Sequence, residues 1–324
     1  MKETISLSAP QEISVPVDDL WFDDGNLILQ AEKSLFKIYS GLLAARSSVF
    51  RDMLAFPPPA EGNATLDGCP IVTVYDSAKD MNYFLKAVFD TSFFEPPPTP
   101  TELPIVEGVL RLSLKYDVSY LHRRALQHLL STFPMTLSAW KNRENDRTIP
   151  PVDNTPFAAF RIARQFDLVW LLPSILYCVS SHPFEKTLDG ATWGKEKEQE
   201  LISLSWLDKR MCILGRQRIV MFQSRNSVSL MKSSTAPVEG CNGETCVGTR
   251  QRCADILGQW DMAGMLDYFE DNHDIWYSGF CSACRTAFKE TCASECDSMW
   301  TELPEMFGLP SWEVLEDLRK KAFE

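Results

Sequence analysis

The chain has 324 residues, 45% of them apolar and 23% charged, which is enough for two or three domains with real cores and too apolar for wholesale disorder. Its net charge of −12 disfavours direct nucleic-acid binding, since most of the surface would repel a phosphate backbone. Residues 254–324 alone carry 15 acidic against 5 basic groups, and only 134–253 holds a basic excess. No run reaches the roughly 18 to 20 apolar residues of a membrane helix: the nearest, Leu168 to Ser181, is interrupted by Pro173. The opening MKETISLSAPQE lacks the apolar stretch of a secretory signal, so the expected compartment is cytosol or nucleus, with no membrane partner.

The first structural signal is a turn, Asp23-Asp24-Gly25-Asn26, between Leu20-Trp21-Phe22 and Leu27-Ile28-Leu29. It predicts a hairpin with Gly25 available for a positive φ. Leu35 to Tyr39 alternates at strand period after Glu32-Lys33-Ser34. Two short helices follow, Ser40 to Ala45 and Ser48 to Leu54. Ser47 is the N-cap of the second, whose apolar side is Val49, Phe50, Met53 and Leu54, and Pro57-Pro58-Pro59 ends it. Ile71 to Tyr75 is a β-branched strand, and a helix spans about Ala78 to Phe89. After the proline-rich loop Pro96 to Pro104, Ile105 to Phe133 predicts a helical pair broken at Asp117. Its faces are marked by Val106, Val109 and Leu110, then by Leu121, Ala125 and Leu129.

Residues 134–156 predict a polar linker, most clearly in KNRENDRTIPPVDNTP. Helices are expected over Phe157 to Phe166 and Leu168 to Ser180, with a turn from Gly190 to Gly194. The charged run Lys195 to Glu200 leads into a long helix opened by a capping box, Ser205-Trp206-Leu207-Asp208. The apolar repeat of that helix is Leu207, Met211, Leu214 and Met221. Residues 232–250 are rich in Ser, Thr and Gly and predict a loop. The last seventy or so residues predict several short helices, with Trp260, Trp276, Trp300 and Trp312 enough for a small core.

Two runs carry a resemblance. Asp23 to Leu29, followed by Phe36 to Leu54, is similar to the strand and "H-x-x-x-L-x-x-R-S-x-x-F-x-x-M-L" pattern of BTB/POZ domains, with Tyr39 in the place of the His. Val109 to Val118 resembles that family's "L-x-x-A-x-x-Y-x-V", with Ser113 in the place of the Ala. The remainder resembles BTB proteins of mushroom-type fungi through Met211 to Arg216, Cys281 to Cys284, Trp300 to Pro304 and Phe307 to Trp312. The resemblance implies an α+β chain. A tail over 1–16 precedes a BTB/POZ domain over 17–133, a short sheet flanked by helices. After the 134–156 linker come a helical region over 157–238 and a Cys-rich helical region over 239–324. It also implies protein partners: a second copy in a homodimer, a cullin-type ubiquitin-ligase scaffold, or transcription co-regulators. Apolar anchors near Leu20, Trp21, Phe50 and Leu54 would carry the contact, with burial in the core the plainer reading of Phe50 and Leu54.

Seven of the ten cysteines follow position 240. Without an export signal, disulfides are a poor account of them, and metal binding or core packing is the better one. Cys241 and Cys246, in a glycine-containing loop, and Cys281 with Cys284, at knuckle spacing, together make a four-thiolate set suited to a structural zinc. Cys253, His273, Cys292 and Cys296 are alternative ligands, and buried thiols in a helical core are the alternative to any metal. A redox C-x-x-C lacks the surrounding βαβ pattern.

No enzyme is expected. The nucleophile-elbow, P-loop, dinucleotide and H-E-x-x-H motifs are absent, and His122 and His128, six apart on one helix, do not share a face. The expected function is an interaction scaffold. The alternative is a transcriptional regulator with a zinc-stapled C-terminal region contacting DNA. It is weakened because residues 285–300 offer only Arg285 and Lys289 against Glu290, Glu295 and Asp297.

Overall fold

The computed structural model describes residues 14–56, 65–195, 199–233, 238–241, 243–258, 264, 266 and 276–324. The chain divides into two compact units, Met1–His128 and Leu129–Glu324. The architecture is mixed α/β, with a five-stranded sheet near the N-terminus followed by helices.

The sheet contains β1 (Val15–Trp21), β2 (Leu27–Ala31), β3 (Ser34–Ile38), β4 (Thr65–Leu66) and β5 (Cys69–Val74), in the order β1-β3-β2-β5-β4. The expected hairpin across Asp23–Asn26 does not form. The turn exists, Gly25 N–H donating to Phe22 O at 3.0 Å, but β3 lies between its two flanking strands. β3 runs antiparallel to β2 and parallel to β1. The hairpin is β2–β3, where Glu32 takes the left-handed φ of 49°. Gly25 serves by size: a Cβ there would lie 3.0 Å from both Lys37 Cγ and Phe22 O. The parallel β2–β5 pairing requires a crossover. It is made by α1 (Ser40–Arg46) and α2 (Ser48–Ala55), close to the expected pair. The prolines expected to end α2 lie outside the described residues.

Ser47 caps α2 as the sequence indicates. Its Oγ accepts from Phe50 N–H at 3.0 Å and donates to Tyr116 O at 2.5 Å. Phe50 is wholly buried and stacks on Tyr116, ring centroids 4.3 Å apart. Its burial contributes roughly 2 to 3 kcal/mol. Tyr39, in the place of the resembled family's His, donates its hydroxyl to Asp24 Oδ1 at 2.5 Å and stacks on Phe22. The helix α3 (Ala78–Phe89) matches expectation and is capped by Ser77. It packs on α4 (Leu103–Lys115) where Gly108 allows close approach, a Cβ there meeting Asp80 Oδ1 at 2.8 Å. Arg111 bridges the two helices by pairing with Asp80 and Glu107. Asp117, with φ 53°, breaks the pair before α5 (Ser119–Thr132), which buries Leu121, Ala125 and Leu129 as expected.

Among the described residues, the regular structure of the second unit is helical apart from a small antiparallel pair. The stretch expected to be a polar linker carries α6 (Leu137–Lys141) and α7 (Arg143–Asp146), and it buries Trp140, Thr148 and Ile149. Its backbone is tied by Ser131 and Thr132 hydroxyls to Thr148 N–H and Ile149 N–H. Then follow α8 (Thr155–Gln165), a 3-10 turn at Val169–Leu171 and α9 (Leu172–Ser180). In α9 every residue but Cys178 is buried, which accounts for its all-round apolarity. After α10 (Phe184–Asp189), the expected turn at 190–194 is instead strand β6 (Ala191–Trp193), paired with β7 (Glu200–Ile202).

The helix α11 (Trp206–Ser233) starts at the expected cap, Asp208 N–H donating to Ser205 Oγ at 3.2 Å. Its buried face differs from the expected stripe. Leu207 is 74% exposed and Met221 46%, whereas Cys212, Gly215, Ile219 and Gln223 face inward. The expected loop over 232–250 gives way at Glu244 to α12 (Glu244–Gly258). Among the described residues of the C-terminal stretch expected to form several short helices, a long α13 (Ser282–Met306) runs to a Gly308 turn before α14 (Trp312–Ala322). The runs Met211–Arg216 and Phe307–Trp312 meet here: Phe307 covers Gly215, and Arg218 Nη1 donates to Met306 O at 2.7 Å. Trp312 stacks on Trp300 and donates Nε1–H to Trp300 O at 2.7 Å.

Candidate metal centre

Cys241, Cys246, Cys281 and Cys284 converge, their four Sγ atoms all within 4.8 Å of one another. Three local devices put them there. Gly240 turns the chain with φ 83° just before Cys241, whose N–H donates to Val238 O at 2.9 Å. Cys246 sits in the first turn of α12 and is 1% exposed. Cys281 is the N-cap of α13, its sulfur accepting from Cys284 N–H at 3.5 Å, and Cys284 lies buried in the first turn. The C-x-x-C spacing therefore makes a helix cap, and two helix N-termini aim their positive ends at the sulfurs.

Two of the sulfurs accept further hydrogen bonds. Cys281 N–H donates to Cys246 Sγ at 3.2 Å, and Arg250 Nη2 donates to Cys284 Sγ at 3.1 Å. The Cys284 N–H lowers the Cys281 thiol to about 7, and neighbouring thiols add to the effect. Burial pushes Cys284 the other way, up to about 12, so without a cation its sulfur holds a proton. Four thiolates at about 2.3 Å from one tetrahedral ion would stand about 3.8 Å apart. The set can therefore hold a soft divalent metal after contracting by about an ångström or less. All four positions would be filled by protein, which leaves no open site for chemistry on a substrate.

The alternative thiol ligands do not join this set. Cys253, Cys292 and Cys296 are buried. Burial raises Cys253 to about 11 and Cys292 well above the ordinary thiol range, as expected of core thiols. His273 lies outside the described residues. Arg250 was missed by reading cysteines alone. The available signal was its position four residues after Cys246, on the same helix face.

The proposed interaction residues are distributed differently. Leu20 and Phe50 are core side chains at 2% and 0% exposure, and Trp21 and Leu54 are half-buried. The outward apolar side chains of the same region are Leu42 on α1, Val49 on α2 and Phe56 just after it. Among the described residues, no helix is long and apolar enough to cross a membrane. No protein-family model matches the chain, and no curated protein matches it.

Proposed function

We propose that this chain is a non-catalytic interaction scaffold. In this reading its N-terminal unit is of BTB/POZ kind and docks a second copy or a cullin-type ubiquitin-ligase scaffold. A structural zinc on Cys241, Cys246, Cys281 and Cys284 ties α12 to the start of α13. The observation carrying the scaffold reading is the outward apolar set Leu42, Val49 and Phe56, at 39%, 39% and 77% exposure. It lies within the run that resembles the BTB pattern, and recognition there would rest on apolar anchors rather than reacting groups. The sheet order, with α1 and α2 crossing between parallel strands, supports an α/β unit of that kind. Zinc is favoured over other cations because four sulfurs select a soft ion and tetrahedral geometry.

Light scattering after size exclusion and capture by an immobilised cullin test the scaffold reading. The expected result is a dimer or cullin retention, lost in the Leu42→Asp, Val49→Asp double variant. A strictly monomeric chain that retains no cullin refutes it. Elemental analysis of the purified chain tests the metal, with one zinc per chain expected and a metal-free, folded protein the contrary result.

A further inference from the structure

A second constellation lies in the C-terminal unit, away from the cysteine cluster. A cleft of about 330 Å³ is bounded by apolar Phe133, Ile149 and Val152 and by Arg143, Arg147 and Cys178. That volume falls at the lower end of small-molecule sites. Its wall is fixed in place. Beyond the ties from Ser131 and Thr132, Thr155 Oγ1 donates to Val152 O at 2.7 Å. Arg143 lies over the Trp140 ring, 3.8 Å from its centroid, and donates Nη1–H to Cys178 Sγ at 3.4 Å.

Glu144, outside the cleft and 55% exposed, pairs with both guanidiniums. It orients Arg147 without exhausting a group that carries five N–H donors. Asp153 also lines the cleft, so the charges of its lining sum to one positive, and Glu144 and Lys186 beside it, one of each sign, leave that sum unchanged. His182, on another wall, is lowered by burial and by nearby Lys186, and is neutral at pH 7. An orienting pair of guanidiniums, an apolar wall and a single surplus positive charge match a monoanion better than a dianion.

We propose that this cleft binds a small monocarboxylate with an apolar body, its carboxylate on Arg147 and Arg143 and its hydrocarbon against Phe133 and Ile149. Cys178 is the built-in reporter. The full chain is treated with iodoacetamide in the presence of phenylbutyrate or its neutral amide, phenylbutyramide. Alkylation of Cys178 is followed by peptide mass spectrometry and binding by thermal shift. The acid should protect Cys178 saturably and the amide only weakly. Arg147→Gln should raise the half-protecting concentration by about tenfold or more, the loss expected for one charge-assisted hydrogen-bonding partner. Should that variant fail to fold, Arg147→Lys keeps the charge but loses the planar fork, and should weaken protection in the same direction. Cys178→Ser should retain the acid-specific thermal shift. Equal protection by acid and amide, no protection at millimolar acid, or a folded Arg147 variant indistinguishable from the parent would each overturn the proposal.

Discussion

Replacing Gly215 by Ala tests the packing that joins α11 to the turn after α13. A Cβ at Gly215 would lie 2.1 Å from Phe307 Cδ1 and 2.2 Å from Cε1. Carbon atoms are comfortable at about 3.5 to 4.0 Å, so the overlap exceeds an ångström. Phe307 is 3% exposed, and its turn is pinned by Arg218 on the Glu305 and Met306 carbonyls, so the ring has little room to yield. Overpacking of this kind costs about 1 to 3 kcal/mol, and the upper end applies. Against it stands the helix-propensity gain of Gly→Ala, about 1 kcal/mol, leaving a net loss of about 2 kcal/mol. Gly248 in α12 is the control, because a Cβ there meets nothing within 4 Å. Gly248→Ala should therefore stabilise by about 0.5 to 1 kcal/mol. For a unit the size of 129–324, thermal melting by tryptophan fluorescence should fall by about 4 to 8 °C for Gly215→Ala. It should rise by a few degrees for Gly248→Ala. If both variants gain stability alike, Phe307 does not press on Gly215 and the account of how the two runs meet is wrong.

Chelation should expose four thiols to a disulfide reagent that are silent in the zinc-loaded chain, while buried Cys212, raised to about 12, stays slow. An unchanged thiol count after chelation would argue against a metal on the cluster. Cys246→Ser should lower zinc content and the melting temperature of the second unit together, since a buried ligand and the acceptor of Cys281 N–H are weakened at once. Ser47→Ala removes both the α2 cap and the bond to Tyr116 O, and should cost about 2 kcal/mol in urea unfolding; a loss below about 0.5 kcal/mol would contradict that role. His128 is buried and donates Nε2–H to Glu95 O at 2.8 Å, and burial, with Arg124 nearby, holds its pKa below 6.5. The unfolded chain therefore binds the extra proton, and stability should fall as pH drops through about 6.5 toward the lower folded value. His128→Gln should flatten that slope between pH 7 and 5, a range readable from urea midpoints.

Local features were legible because local chemistry sets them. The Ser47 cap, the α3 boundaries, the break at Asp117 and the cap of α11 each depend on residues within one or two turns. The cysteine pairs were legible for the same reason, since ligand spacing and helix capping act over a few residues. Arg250's place one turn after Cys246 was legible too, but its bond to Cys284, 34 residues away in sequence, was not.

The sequence by itself determined where most helices begin, which strands are apolar, and that four thiols occur in two ligand-spaced pairs. Only the tertiary structure decided that β3 would enter between β1 and β2, and that α11 would turn Gly215 rather than Leu207 inward. It also decided that the polar stretch before α8 would become the wall of a cleft, and that the two cysteine pairs would meet. Each of those outcomes is selected by contacts between residues far apart in the chain, which periodicity and spacing along one segment do not encode.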